Sequence, residues 1–288
     1  LPVLEGIRKY ADDHVLLVGR PGSGKSTALI RLLLEEATQT LQQSEGQVPV
    51  LVELRYWNTS IEGLIQGFLQ RHGLMLDDST LSTLLSQGRF LLLIDGLNEL
   101  SSEESRTELT AFRRNHLKVP IVCTTRDLSL GGDLGIEKKL EMQPLTEAQM
   151  EDFICAYVPD QVEAMLRQLN DRLWEFGQTP LLLWMLCEVL QQSPQRQIPT
   201  NLAEVFRAFT KMYEDSSVRK HDVALLKGDV RALSDRRLWK ESLKALAALM
   251  MQGRTPVDFR VVIHRTEAEH ELSKLFANEK FPARDILD

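Results

Sequence analysis

Residues Gly19, Arg20, Pro21, Gly22, Ser23, Gly24, Lys25, Ser26 and Thr27 spell GRPGSGKST. A glycine, four residues and then Gly-Lys-Ser is the spacing of a loop that wraps phosphates. Glycines let the backbone turn its N–H groups inward around an anion. A helix opening at the end of the loop adds a favourable partial charge. Lys25 then reaches β- and γ-phosphates, and the Ser26 hydroxyl can ligate Mg²⁺. The chemistry is the holding of a nucleoside polyphosphate together with its magnesium.

The stretch "FLLLIDGLNEL" (Phe90 to Leu100) supplies a counterpart. An apolar strand delivers Asp95 to a sheet end, where its carboxylate can hold Mg²⁺ through water opposite Ser26. Glu99, one turn further, can orient or deprotonate a water aimed at the γ-phosphate; the plain alternative is a charge on a surface loop. Asn98 stands between the two acids. "IVCTTRD" brings Thr124, Thr125 and Arg126 to another strand end, where open α/β sheets bind their ligands. Arg126 either stabilises charge on a phosphate or pairs with Glu99 or Asp95.

These groups need strands that end together. "HVLLVG" (His14 to Gly19), "VPVLVEL" (Val48 to Leu54), "RFLLLIDG", "PIVCTTR" (Pro120 to Arg126) and "KKLEMQPL" (Lys138 to Leu145) read as short parallel strands. Helices are predicted from Gly24 to about Gln43, Ser60 to His72, Ser79 to Gln87 and Glu103 to His116, the last with Ser101 and Glu104 at capping-box spacing. The result is an α/β fold, a five-stranded parallel sheet with helices on both faces. Thr146 and Gln149 form a second capping box, after which the chain is almost wholly helical: "EAQMEDFICAYV", "QVEAMLRQLNDRLWEF", "PLLLWMLCEVLQQ", "LAEVFRAFTKMYEDS" and "RLWKESLKALAALMMQ". Leu181, Leu182, Met185 and Leu186 form an apolar stripe at helical spacing. "DFRVVIHRTEAEHELSKLF" reads as a short strand and a helix capped by Thr266 and Glu269, the start of a winged helix. The expected division is 1–145 for the nucleotide-binding core, 146–200 for a helical domain and 201–288 for a second helical, partly winged-helix region.

At these residues the chain resembles the NACHT family, within the STAND class of P-loop signalling ATPases. Gly96 matches the small residue after the family's acidic strand end, and "TTR" resembles its sensor strand, with Asp127 where a proline is usual. "LEMQPLTEAQMEDFI" resembles the exit from the ATPase core. "TPLLLWMLCEVL" resembles the helical segment whose proline, here Pro180, touches the nucleotide. Asn98 departs from the family's second acid and leaves Glu99 as the one carboxylate for water. His264 and His270 lie in no motif matching the family's winged-helix histidine. The resemblance implies ATP or ADP with Mg²⁺ as ligands, slow hydrolysis, a closed ADP form and an ATP form that self-assembles. It also implies an N-terminal effector and a C-terminal sensor, and a role in defence or immune signalling. The alternative is an AAA+-like motor or loader, which uses an arginine lent by a neighbour; the chain has no clear motif for one, although Arg113 and Arg114 precede the sensor strand where it could sit. A GTPase is disfavoured by the absence of N-K-x-D, and a small-molecule kinase by the long helical half.

Bulk properties narrow the rest. A net charge of −7 argues against a broadly basic nucleic-acid surface. Apolar runs such as "LLLWMLC" are too short to cross a bilayer. Cys123, Cys155 and Cys187 each sit among apolar residues and read as buried reduced thiols of a cytoplasmic protein; none has zinc-ligand spacing. The chain does not start with methionine and "FPARDILD" has no stop signature, so flanking domains are expected.

Overall fold

The structure, a computed structural model, describes residues 2–10, 14–42, 46–57, 60–100, 102–126, 134–169, 171–201, 203–212, 236–251, 263 and 265–277. Strands β1 (Val15–Val18), β2 (Val48–Glu53), β3 (Phe90–Asp95), β4 (Ile121–Thr125) and β5 (Lys138–Glu141) form one sheet. The strand order is β2-β3-β4-β1-β5, and every pairing is parallel. β4 therefore separates the strand that leads into the glycine-rich loop from the strand that ends at Asp95.

Side chains alternate along a strand, so an apolar run buries both of its faces. In β3, Phe90, Leu92 and Ile94 join one core with Val50, Val52 and Ile121. Leu91 and Leu93 join the opposite core with Val15, Leu17 and Val122. Helices α3 (Ile61–Arg71), α4 (Asp78–Ser86) and α5 (Glu103–Asn115) cover the first face through Ile65, Leu85 and Phe112. Helices α1 (Val3–Lys9) and α2 (Lys25–Gln42) cover the second through Ile7, Leu29 and Leu32. Leu92→Ala in this fully buried strand is expected to cost about 3 kcal/mol of stability, measured as a shift in denaturant midpoint at unchanged m-value.

Helices α6 (Glu147–Tyr157), α7 (Val162–Gln168), α8 (Asp171–Gly177) and α9 (Pro180–Gln192) follow the sheet. They belong with it to one compact unit, Leu1–Ile198. The second unit, Pro199–Asp288, contains α10 (203–212), α11 (Arg236–Met251) and α12 (Arg265–Leu275); α11 and α12 pack on one another.

Several expectations change. The cap of α5 is Ser102, whose Oγ accepts the Ser105 N–H, not the Ser101–Glu104 pair; the register shifts by one because Ser102 is equally able to cap. The single helix expected from Gln161 to Phe176 is two. Leu169 takes extended backbone at φ −73°, ψ 93°, just before Asn170 and Asp171, residue types that favour helix ends. Thr266 lies inside α12 rather than capping it, and Glu269 pairs with Arg265 at 2.8 Å. Cys155 is exposed, whereas Cys123 and Cys187 are buried; burial pushes both buried thiols up to about 12. The Thr146–Gln149 capping box is present on α6. Helix α1 was not foreseen, and the strand expected over 258–264 lies outside the described residues apart from residue 263.

Candidate functional site

The carboxyl ends of β1, β3 and β4 converge on the glycine-rich loop. β1 ends at Val18, and the loop runs from Gly19 to the first turn of α2, which opens at Lys25. Gly22 has φ +76°, and a Cβ there would lie 2.8 Å from the Leu181 Cβ. Both the backbone conformation and the close approach therefore require glycine. Lys25 is buried. Its ammonium donates to the carbonyls of Gly19 at 2.7 Å and Arg20 at 3.0 Å, and to Ser23 Oγ at 3.4 Å. Burial, with Arg126 nearby, holds the Lys25 ammonium below the usual lysine range, against the opposing pull of Asp95. Arg20, Pro21, Ser26 and Thr27 are exposed, and Ser23 and Gly24 are half-buried.

Asp95 is fixed by β4. The Thr124 hydroxyl donates to Asp95 Oδ1 at 2.5 Å and accepts the Gly96 N–H at 2.9 Å. The buried Thr124 thus orients the carboxylate and the turn after it. Gly96 turns left-handed at φ +87°, and a Cβ there would strike the Glu99 carboxylate at 2.8 Å. This explains the small residue at that place: Glu99 folds back over it. Arg126 pairs with Glu99 at 3.6 Å, and its backbone N–H donates to Asn98 Oδ1 at 3.1 Å. Of the two alternatives for Arg126, the structure displays the ion pair with Glu99.

Two residues at this end were not foreseen as site residues. Parallel register sets Glu53, the last residue of β2, beside Asp95. Arg55 pairs with Glu53. Burial, with Asp95 and Glu53 nearby, pushes the Glu99 carboxyl above the usual carboxylate range, opposed by Arg126 and Arg55. The sequence signal for Glu53 was its position at a strand end. Only the register shows which acid it faces.

Pro180 is the first residue of α9, where a fixed φ suits the helix and no N–H is lost. The next N–H, from Leu181, is one that a helix leaves without an internal partner. It donates to the Gly22 carbonyl of the glycine-rich loop at 3.2 Å. Leu181 is 47% exposed and does not belong to the buried stripe expected for it. Leu183, Met185, Leu186, Val189 and Leu190 form the buried face instead, and Leu181 seats against Gly22. Met142, just past β5, backs the loop at Gly19. Arg113 is engaged with His14 Nδ1 at 2.8 Å and with the carbonyls of Leu134 and Gly135.

Among the described residues no group of three or more His, Cys, Asp or Glu side chains could itself hold a metal ion. The exposed Ser26 hydroxyl and the oriented Asp95 carboxylate suit a Mg²⁺ that takes its other ligands from phosphates and waters. No described helix is long and apolar enough to cross a membrane.

Residues 13–161 match the family described as NACHT domain. No curated protein matches the chain. Among solved structures, the chain is similar to the ORC1 protein of Aeropyrum pernix in complex with DNA (18% identity, TM-score 0.47, covering 100% of this chain and 81% of that one). It is similar to the ORC2 protein of the same organism in ADPNP–ADP complexes (15% identity, TM-score 0.48, 96% and 86%). It is also similar to a mutant of RuvB from Thermotoga maritima (16% identity, TM-score 0.42, 93% and 91%).

Proposed function

The chain belongs to the NACHT domain family of P-loop NTPases, and we propose that its site is a slow ATP-hydrolysing switch. The observation that carries this reading is the hydrogen bond from Leu181 to Gly22. It seats the start of a helix from the second half of the unit directly on the loop that takes the phosphates. A change in the loop on nucleotide exchange is therefore felt by α9, which a switch requires.

The loop residues Gly19 to Thr27 surround the phosphates of ATP or ADP. Lys25 exchanges the Gly19 and Arg20 carbonyls for phosphate oxygens. Ser26 and Asp95 hold Mg²⁺, which neutralises phosphate charge when bound. Glu99 orients a water and accepts its proton. Arg126, paired with Glu99 in this structure, turns to the γ-phosphate when one is present. With Lys25, Asp95 and Glu99 it is thus one of the contacts that differ between ATP and ADP, and only such differential contacts can shift a conformational equilibrium. Pro180 lies beside the bound nucleotide and holds α9 down on ADP. In the ATP form α9 is released and the chain self-assembles. An effector before the core and a sensor after it supply output and input, in cytoplasmic defence or immune signalling. The engagement of Arg113 with His14 and two carbonyls weighs against its use as an arginine lent to a neighbour in a fast motor.

Pro180→Ala tests the bridge. ADP release should quicken about tenfold, equivalent to ~1.4 kcal/mol, with ATP affinity little changed, as followed by fluorescent-nucleotide displacement. Equal losses for both nucleotides would remove the bridging role.

A further inference from the structure

Asn98 occupies the place where a second acid would be expected, yet its side chain is committed elsewhere. Its Oδ1 accepts the N–H of Arg126 at 3.1 Å, at the point where the chain leaves β4. The turn between Asp95 and Glu99 is consequently tied to β4 twice. Gly96 N–H donates to Thr124 Oγ1 at its start, and Asn98 takes the Arg126 N–H near its end. Within the turn, Glu99 N–H closes on the Gly96 carbonyl at 2.8 Å, so the turn is also bonded to itself. The guanidinium of Arg126 meets Glu99 across this double tie at 3.6 Å.

We propose that Asn98 is the positioning residue for Arg126, and through it sets how well the site distinguishes ATP from ADP. The inference rests on the reading of Arg126 as the contact to the γ-phosphate. A long arginine side chain samples many rotamers. Its head reaches a defined place only if its backbone is fixed where the strand ends. The side-chain oxygen of Asn98 supplies that fixed point by accepting the backbone N–H, and the guanidinium is left for Glu99 or a phosphate. Asn98 is thus a structural clip between the turn that carries the water-handling acid and the end of β4, where the phosphate sensor follows. It is not a disabled catalytic acid.

The test compares dissociation constants for ADP and for a non-hydrolysable ATP analogue in wild type, Asn98→Ala, Asn98→Asp and Arg126→Ala. Asn98→Ala is expected to weaken the ATP analogue about fivefold, the worth of one hydrogen bond, and to leave ADP within about twofold. Asn98→Asp keeps the acceptor and should restore most of the ATP-to-ADP ratio. Because the readout is a ratio, partial loss of folded protein cancels. If Arg126→Ala lowers the ratio and Asn98→Ala does not, the positioning role is overturned while the sensor reading stands. If Asn98→Asp behaves like Asn98→Ala, the acceptor is not what matters and the inference fails. If neither Arg126→Ala nor Asn98→Ala changes the ratio, the sensor reading fails with it.

Discussion

Lys25→Ala is expected to weaken binding of both ATP and ADP by about a hundredfold or more, the worth of the charge-assisted hydrogen bonds it removes. Lys25 is a buried cation held by two loop carbonyls and a serine hydroxyl. It costs free energy to keep an ammonium there. Burial accordingly draws its pKa down, and a phosphate would compensate that burial better than neutral carbonyls do. The same bonds tie the loop together, so the variant must be separated from a merely loosened loop. Thermal melting with and without nucleotide does this. Wild type should gain stability with ligand concentration as mass action requires. Lys25→Ala should melt cooperatively yet gain almost nothing from millimolar nucleotide. A cooperative melt that still shifts as in wild type would sink the assignment of this loop to phosphate.

What the sequence disclosed was what local pattern carries. The short apolar run from Phe90 to Ile94, bounded by Gly88 and Gly96, reads as a buried strand, and its boundary at Asp95 follows from the first charge. Thr146 and Gln149 announced α6 because a capping box is a short-range device with a fixed spacing. Where two neighbours could do the same job, as Ser101 and Ser102 could, the capping-box spacing pointed to Ser101 and the fold uses Ser102. The break between α7 and α8 was hidden because both segments keep helical periodicity across it. Long-range pairings were the least legible. That Leu181 would leave the apolar stripe to meet Gly22 depends on two segments 159 positions apart, and nothing in either encodes the other. Glu53 could not be set beside Asp95 before the register of β2 on β3 was known. Asn98 was visible as a departure from a second acid, but its bond to Arg126 was not.

Glu99→Gln is expected to lower the hydrolysis rate about a thousandfold, within the range for loss of a general base, while ATP stays bound. The amide keeps the shape that folds over Gly96 but cannot accept a proton. It also gives up the ion pair with Arg126, so the guanidinium is freer for the γ-phosphate and ATP affinity should hold or rise. The pH dependence separates this from simple disruption. Burial raises the Glu99 pKa above the usual carboxylate range. Its base form, and with it turnover, is therefore present above that raised pKa and lost as pH falls through it. The acid limb of the wild-type kcat profile should lie higher than an exposed glutamate would place it, and Glu99→Gln should lack that limb. If the variant turns over like wild type with the limb unchanged, the base is another group. Glu53, set beside Asp95 by the register, is then the first to replace, because its carboxylate acts on Glu99 from a different strand.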